Sequence, residues 1–112
     1  MTKKIELLQG NLEMMILRVL SGGSQHGWGI AQKIHLLSDD ALKIEEGSLY
    51  LAVYRMQRKG WLKAAWGKSE NNRRAKFYSL TDAGKKQFAT QKESWERLCA
   101  AIDSVMRPEG SS

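Results

Sequence analysis

The first strongly patterned segment is residues 9–21, "QGNLEMMILRVLS", in which apolar side chains recur often enough to surround a helix. Asn11 is a residue type that caps helix starts, and Gly22-Gly23 follow the segment as a stop signal. The pattern therefore predicts a first helix that is apolar around nearly its whole circumference. Such a helix needs more cover than one small core provides, which indicates a partner chain.

A second helix is predicted over residues 26–38, "HGWGIAQKIHLLS". Ile30, Ile34 and Leu37 stand at positions i, i+4 and i+7, which places them on one helical face. Residues 39–45 read as a connector, with a short strand expected at "LKIE".

Residues 47–59, "GSLYLAVYRMQRK", predict a third helix that is capped by Ser48 and followed by Gly60. Its two faces differ in chemistry. One face is apolar and carries Leu49, Ala52, Val53 and Met56, whereas the other carries Tyr50, Leu51, Tyr54, Arg55 and Arg58. Tyrosines and arginines together are an unusual composition for a merely solvated surface.

Two short alternating runs, at residues 61–68 and 74–80, predict an antiparallel hairpin. Asn71 and Asn72 lie between them and tolerate the left-handed backbone that a tight turn requires. Two arginines follow this tip at once, which raises the question of what they neutralise. The order of three helices and a hairpin is that of a winged helix, so we expect a mostly α fold with a small β-hairpin.

A long closing helix is predicted over residues 81–107, with Thr81 as its cap and Pro108 after its end. Its apolar residues recur with a/d spacing, interrupted by Gln91, which is typical of a coiled-coil-like contact. The seam consists of Phe88, Trp95, Leu98, Ile102 and Val105. The pattern favours a dimerisation helix, and the alternative is that the stripe covers the core of its own domain. We therefore divide the chain into a winged helix at 1–80, this helix at 81–107, and a frayed tail at 108–112.

Positive charge is concentrated in one part of the chain. Residues 55–76 contain eight lysines and arginines and one acid, Glu70, a balance of +7, whereas the whole chain carries +6. Local basicity of this kind is typical of a surface that binds a polyanion, and the alternative is a solvated basic surface. In a winged helix the third helix enters the major groove, and the hairpin tip lies over the backbone or the minor groove. The predicted DNA-binding residues are Ser48, Tyr50, Leu51, Tyr54, Arg55, Arg58, Lys68, Arg73, Arg74 and Lys76.

The segments "HGWGIAQKI" and "EEGSLYLAVYRMQRKGWLKAAWGKSENNRRAKFYSLTDAGKKQF" resemble a PadR-type transcriptional regulator of the short-tailed branch, over roughly residues 7–107. The resemblance implies a homodimeric repressor that binds an inverted-repeat operator. It also implies that the closing helix packs against the first helix of the partner, which adds Leu12 and Ile16 to the interface. Two departures from the family pattern are Leu51 in place of a proline, and Asn71-Asn72 in place of Asn-Gly.

The resemblance also suggests an effector pocket, because in some relatives a tryptophan of the closing helix stacks flat aromatic compounds. The corresponding candidates are Met14, Met15 and Trp95, with Met106 as a further lining residue. A large rigid indole suits such stacking. The alternative is that Trp95 only fills the seam between two chains.

Catalytic, metal and cofactor sites are not expected. His26 and His35 are nine residues apart without a nearby cysteine, and no nucleophile and base set is visible. The single cysteine, Cys99, excludes an intramolecular disulfide and fits a cytoplasmic protein. We expect it to be a small buried hydrophobe, with a redox sensor as the alternative.

The chain has no apolar run long enough for a membrane span and no visible signal peptide. The function predicted is therefore a DNA-binding transcriptional regulator. The alternatives are a winged-helix module that binds RNA or a protein, and, far behind, a minimal enzyme.

Overall fold

The computed structural model describes residues 8–109 and contains four helices and one small sheet within that range. The elements are α1 (Gln9–Ser21), β1 (Gln25–His26), α2 (Gly27–Leu37), α3 (Glu46–Arg58), β2 (Leu62–Lys68), β3 (Arg74–Leu80) and α4 (Asp82–Met106). The predicted order of helices and hairpin is confirmed. The first residues of the expected winged-helix domain and the end of the expected tail, residues 1–7 and 110–112, lie outside the described range.

The core forms around α1, which contacts α2, α3, α4 and β3 of its own chain. The side chains buried in this core are Leu12, Ile16, Leu17, Val19, Leu20, Ile30, Ile34, Leu49, Ala52, Val53, Met56, Leu62, Tyr78 and Leu80. The many apolar positions of α1 are therefore covered within the protomer, because the helix is surrounded by its neighbours. Met14 and Met15 of α1 remain partly exposed, so the expectation that a partner chain also covers this helix stays a prediction.

The sheet has the strand order β1-β3-β2, and both pairings are antiparallel. Its hairpin runs from Leu62 opposite Leu80 at the core to Lys68 opposite Arg74 at the tip. Leu62, Leu80 and Tyr78 are buried, whereas the residues at the tip are exposed. The hairpin is thus anchored at its base by apolar side chains and extends its charged end into solvent.

Several predicted boundaries need correction. Residues 42–45 form no strand, and the additional strand lies at Gln25–His26 instead. Asn11 is not a cap, because α1 already begins at Gln9 after Leu8. Ser48 is likewise inside α3, which starts at Glu46 after Glu45. The cap at Thr81 is confirmed, since its Oγ1 accepts a hydrogen bond from the amide of Gly84 at 3.0 Å.

The 25-residue helix α4 rests on the winged helix only through its first half. Phe88 is half-buried and packs against the core. Every residue from 92 to 109 is exposed in the single chain, so the second half projects from the domain. The molecule consequently measures 58 Å along its longest axis and 21 Å along its shortest.

Candidate nucleic-acid interface

The outward face of α3 presents aromatic rings to solvent. Tyr50 and Tyr54 are 46% and 56% exposed, and Leu51 between them is 63% exposed. Ser48 and Arg58 are also exposed. The Nη1 of Arg58 donates to the hydroxyl of Tyr54 at 3.3 Å, and its guanidinium carbon lies 5.8 Å from the tyrosine ring centre. The two side chains therefore form one unit on the exposed surface.

Arg55 departs from the prediction that it belongs to this outward face. It is half-buried, and its Nε lies 3.4 Å from Oε2 of Glu13 on α1. Lys59 Nζ lies 3.5 Å from the other carboxylate oxygen of Glu13. The guanidinium of Arg55 thus neutralises a carboxylate of its own chain, which makes it a link between α1 and α3.

Glu13 is the residue that sequence reasoning missed. Its side chain is only 5% exposed, and a buried carboxylate is costly unless cations accompany it. The available signal was an acid inside the apolar run "LEMMIL". Its two partners lie 42 and 46 residues away along the chain, so the run alone could not identify them.

Tyr50 lies where α3, α2 and the sheet meet. A Cβ atom placed on Gly27, at the start of α2, would come within 2.8 Å of Cε1 of Tyr50, so the absence of a side chain there admits the ring. Burial raises the pKa of Tyr78 above its ordinary value of 10.0, and electrostatic repulsion from Tyr50 raises it further. The shift extends to higher pH the range in which the Tyr78 phenol is neutral.

The hairpin, which we call the wing, carries the cations predicted at its tip. Asn72 adopts the expected left-handed backbone with φ of 58°, and the amide of Ser69 bonds to the carbonyl of Arg73 at 2.8 Å. Lys68, Arg73, Arg74 and Lys76 are all exposed. The turn chemistry thus positions these cations at the outer end of the molecule.

Arg74 has a neighbour that the sequence did not reveal. Its guanidinium carbon lies 4.4 Å from the ring centre of Trp66, within the range of a cation–π interaction. An indole carries no net charge, so this contact orders the arginine without neutralising it. Arg74 therefore remains available to an anion.

The candidate effector residues lie close together around one groove beside α1. Met14, Met15 and Trp95 line a groove of about 630 Å³ between α1, α2 and α4. Its other lining residues are Asn11, Arg18, Val19, Ile34, Leu37, Ser38, Leu42, Phe88 and Lys92. Met106 does not line this groove. The arrangement provides an apolar, aromatic-walled cleft with two cations at its border.

The predicted interface residues fall into three groups, of which the first is Phe88, half-buried against the core of its own protomer. Trp95, Leu98, Ile102 and Val105 are exposed on α4, at 48%, 58%, 51% and 81%. Leu12 and Ile16, in contrast, are 7% and 0% exposed in the core of their own protomer. This placement argues against an interface role for Leu12 and Ile16, because they offer almost no surface to another chain.

The remaining candidates for chemistry have structural roles or stand alone. His26 caps α2, since its Nδ1 accepts from the amide of Gly29 at 3.0 Å. Cys99 is exposed in the single chain, which corrects the expectation of burial. Within residues 8–109, no cluster of His, Cys, Asp and Glu is arranged to hold a metal ion. No helix in the same range is long and apolar enough to cross a membrane.

Comparison with known proteins agrees with this geometry. The model of the transcriptional regulator PadR-like family matches residues 16–90. A transcriptional regulator from Clostridium thermocellum is 28% identical, covers 88% of this chain and 93% of its own, and has a TM-score of 0.80. A PadR-like transcriptional regulator from Bacillus cereus is 26% identical, with coverage of 91% and 97% and a TM-score of 0.79. A Streptococcus mutans protein shares the fold at 24% identity, with coverage of 98% and 99% and a TM-score of 0.83. The chain therefore belongs to the PadR-like family of transcriptional regulators and is a DNA-binding regulator.

Proposed function

We propose that this regulator is a homodimeric, sequence-specific repressor that binds an inverted-repeat operator and is released by a small aromatic molecule. One observation carries the DNA-binding part: Tyr50 of α3 and Arg73 and Arg74 of the wing border the same groove. The outward face of α3 and the cationic tip of the wing therefore form one continuous surface. A surface of this kind allows one duplex to contact both elements at once.

On this proposal α3 enters the major groove, whose width admits an α-helix. Arg58 and Tyr54 would donate to base edges or phosphates, and Leu51 would contact a thymine methyl group. Lys68, Arg73, Arg74 and Lys76 would lie over the backbone or the minor groove, where the potential is most negative. The arginines at the tip then find their counter-charge in DNA.

The homodimer is proposed from the exposed seam of α4. Four large apolar side chains at helical spacing, Trp95, Leu98, Ile102 and Val105, face solvent in the single chain. Contiguous exposed apolar surface of this kind marks an interaction site. A two-fold dimer would present two α3 helices to successive major grooves, which is why an inverted repeat is expected.

The effector is proposed from the groove beside Met14, Met15 and Trp95. Its walls are apolar and aromatic, and its two charged lining residues, Arg18 and Lys92, are both cations. A planar aromatic ring that bears a carboxylate matches this combination. Binding of such a molecule between α1 and α4 would alter the relative placement of the two α3 helices in a dimer.

DNA recognition is tested by fluorescence anisotropy of labelled duplexes over a series of salt concentrations. The duplexes are the region upstream of the chain's own gene and a shuffled sequence of equal length. A repressor binds the upstream duplex more tightly than the shuffled one, and both affinities fall steeply with salt. Equal affinity for every duplex contradicts sequence specificity, and binding to neither contradicts DNA recognition.

The wing is tested with the double variant Arg73→Ala/Arg74→Ala. It removes two phosphate contacts per protomer, and a dimer loses four, so the salt slope should fall by roughly 3 to 4 at about 0.9 per contact. The matched control is Arg97→Ala/Arg107→Ala, which removes the same charge from α4 and from the residue that follows it. A wing variant with the slope of its control would show that the hairpin does not contact DNA.

The effector is tested in a variant that keeps Trp95 and replaces Trp28, Trp61 and Trp66 with phenylalanine. Titration with 2-naphthoate should quench the remaining tryptophan and lower affinity for the upstream duplex. Cyclohexane carboxylate, which has the charge without the aromatic ring, is the control. Unchanged fluorescence at the highest 2-naphthoate concentration would indicate that Trp95 has only a packing role.

A further inference from the structure

A second groove, of about 510 Å³, lies between the wing and the start of α2. It is lined by His26, Gly27, Trp28, Tyr50, Trp66, Ser69, Glu70, Asn71, Arg73, Arg74, Ala75, Lys76 and Tyr78. Trp28 and Trp66 are 56% and 61% exposed. Large indoles left in solvent at the border of a groove need an explanation, because their burial in the core would have been favourable.

The charge of this groove is positive. Arg73, Arg74 and Lys76 oppose the single acid Glu70 among its lining residues, which leaves a balance of +2. Lys76 lies directly opposite Trp66 in the hairpin register, and Arg74 is the next residue of the same face toward the tip. One side of the wing therefore alternates an aromatic ring with cations.

Trp66 arranges Arg74 for contact with an anion. In a cation–π contact the ring attracts the positive charge, and the arginine keeps its hydrogen-bond donors for other partners. Because the side chain is already ordered on the indole, less rotamer entropy is lost when those donors bind. This is a preorganised donor group at the edge of the groove.

The opposite wall adds further donors. The first amides of α2, at Gly27 and Trp28, have no partner within the helix, and the positive end of its dipole lies there. The Nδ1 of His26 accepts a hydrogen bond, so Nε2 carries the proton. His26 is 8% exposed, and its Nε2 is buried without a hydrogen-bond partner in the described structure, so the donors that this wall offers to the groove are the α2 amides. Both walls of the groove thus favour negative charge.

We propose that this groove holds the sugar–phosphate backbone of one DNA strand, with Trp28 and Trp66 packed against deoxyribose rings and Arg74 donating to a phosphate. The proposal rests on the proposed function, and it assigns DNA contacts to Trp28 and Trp66. Continuity with Tyr50 of α3 and the positive charge favour duplex DNA as the occupant. Since sugars and phosphates are the same in every sequence, these contacts add affinity without selecting bases.

The test uses single-tryptophan proteins that keep Trp28, Trp66 or Trp95, with the other three tryptophans replaced by phenylalanine. Acrylamide quenching is measured free and with saturating duplex, while anisotropy of the labelled DNA reports binding. Quenching of Trp28 and Trp66 should fall at least threefold in the complex, and that of Trp95 on α4 should change little.

Three results overturn the proposal in distinguishable ways. Unchanged quenching of Trp28 and Trp66, with normal DNA binding, removes the groove from the interface and leaves the proposed function intact. Equal protection by inorganic phosphate at the same phosphate concentration assigns the groove to a small anion. Absence of binding to any duplex defeats the proposed function and this proposal together.

A second measurement keeps the test independent of the multiple substitutions. Trp66→Ala should weaken binding to the upstream and the shuffled duplex by the same factor, about thirtyfold for each desolvated cation–π contact that is lost. Trp66→Phe, which keeps a ring beneath Arg74, should lose less. Trp66 lies outside the core, so both variants should unfold at the wild-type temperature. A changed ratio between the duplexes, or unchanged affinity, would contradict a backbone contact.

Discussion

Gly84 lies in the first turn of α4, where the helix rests on the backbone of Trp61. A Cβ atom added at Gly84 would overlap the carbonyl oxygen of Trp61 and lie 3.0 Å from its carbonyl carbon. That carbonyl also accepts a hydrogen bond from the amide of Thr81 at 3.0 Å, so it cannot move without loss of the bond. The replacement Gly84→Ala should therefore be destabilising, although alanine is the better helix former.

The magnitude follows from two opposing effects. Overpacking against backbone costs about 1–3 kcal/mol, whereas replacing glycine with alanine in a helix contributes about 0.5–1 kcal/mol of stability. The net loss is about 1–2 kcal/mol, which for a chain of 112 residues lowers Tm by roughly 4–10 °C. Gly47 is the matched control, because it lies in the first turn of α3 with nothing within 4 Å of its Cβ position. Gly47→Ala should raise Tm by roughly 2–4 °C.

The assay is thermal unfolding followed by circular dichroism, with all variants at the same protomer concentration because a dimer's Tm depends on it. The sign of the effect decides the outcome. If Gly84→Ala raises Tm as Gly47→Ala does, helix propensity outweighs the contact. The close packing of α4 on the Trp61 carbonyl would then be refuted.

Three further predictions concern the ion pair, the seam and the buried phenol. Glu13→Gln should lower the free energy of unfolding in urea by about 1–2 kcal/mol. The loss is smaller than for a fully buried ion pair because Arg55 and Lys59 are partly solvated. An unchanged free energy of unfolding would show that the ion pair does not stabilise the fold. Ile102→Asp should shift the proposed dimer to monomer in sedimentation without loss of folding, whereas Ser104→Asp, about 200° around the helix, should not. Equal behaviour of the two variants would contradict a dimer that forms through the α4 seam. The pKa of Tyr78 is raised, so the free energy of unfolding is unaffected by this group below pH 10.0 and falls as pH rises above it. Tyr78→Phe should make this fall less steep. If the free energy of unfolding falls equally steeply with pH in both proteins, the pKa shift is contradicted.

Local information in the sequence was enough to predict most of the elements. The 3.6-residue periodicity of α2 and α3, the alternation of the hairpin and the Asn71-Asn72 turn depend on neighbours in the chain. The predicted order of elements is confirmed for the same reason. The first residues of α1 and α3 were harder to predict. Asn11 and Ser48 are residue types that cap helices, but packing extends each helix beyond them toward its N-terminus.

Contacts between residues that are far apart in the chain could not be predicted from the local hydrophobic pattern. An acid in an apolar run does not indicate which cations surround it, and Glu13 meets its partners only when α1 packs on α3. The two-residue strand β1 exists only because β3 provides an edge for it. Periodicity also cannot distinguish cover by the same chain from cover by a second one, which is why the pattern and the family resemblance predict an interface role for Leu12 and Ile16 although both are buried in the core of their own protomer.

The amino-acid sequence by itself determined the helices, the hairpin and the local excess of positive charge, since each depends on residues close together in the chain. Only the tertiary structure decided which charges are free. Packing pairs Arg55 with the carboxylate of Glu13, which neutralises it. Arg74 instead stacks on the uncharged ring of Trp66, so its charge remains available to an anion. The physical reason is that the availability of a charge depends on the groups around it in space, which the fold brings together.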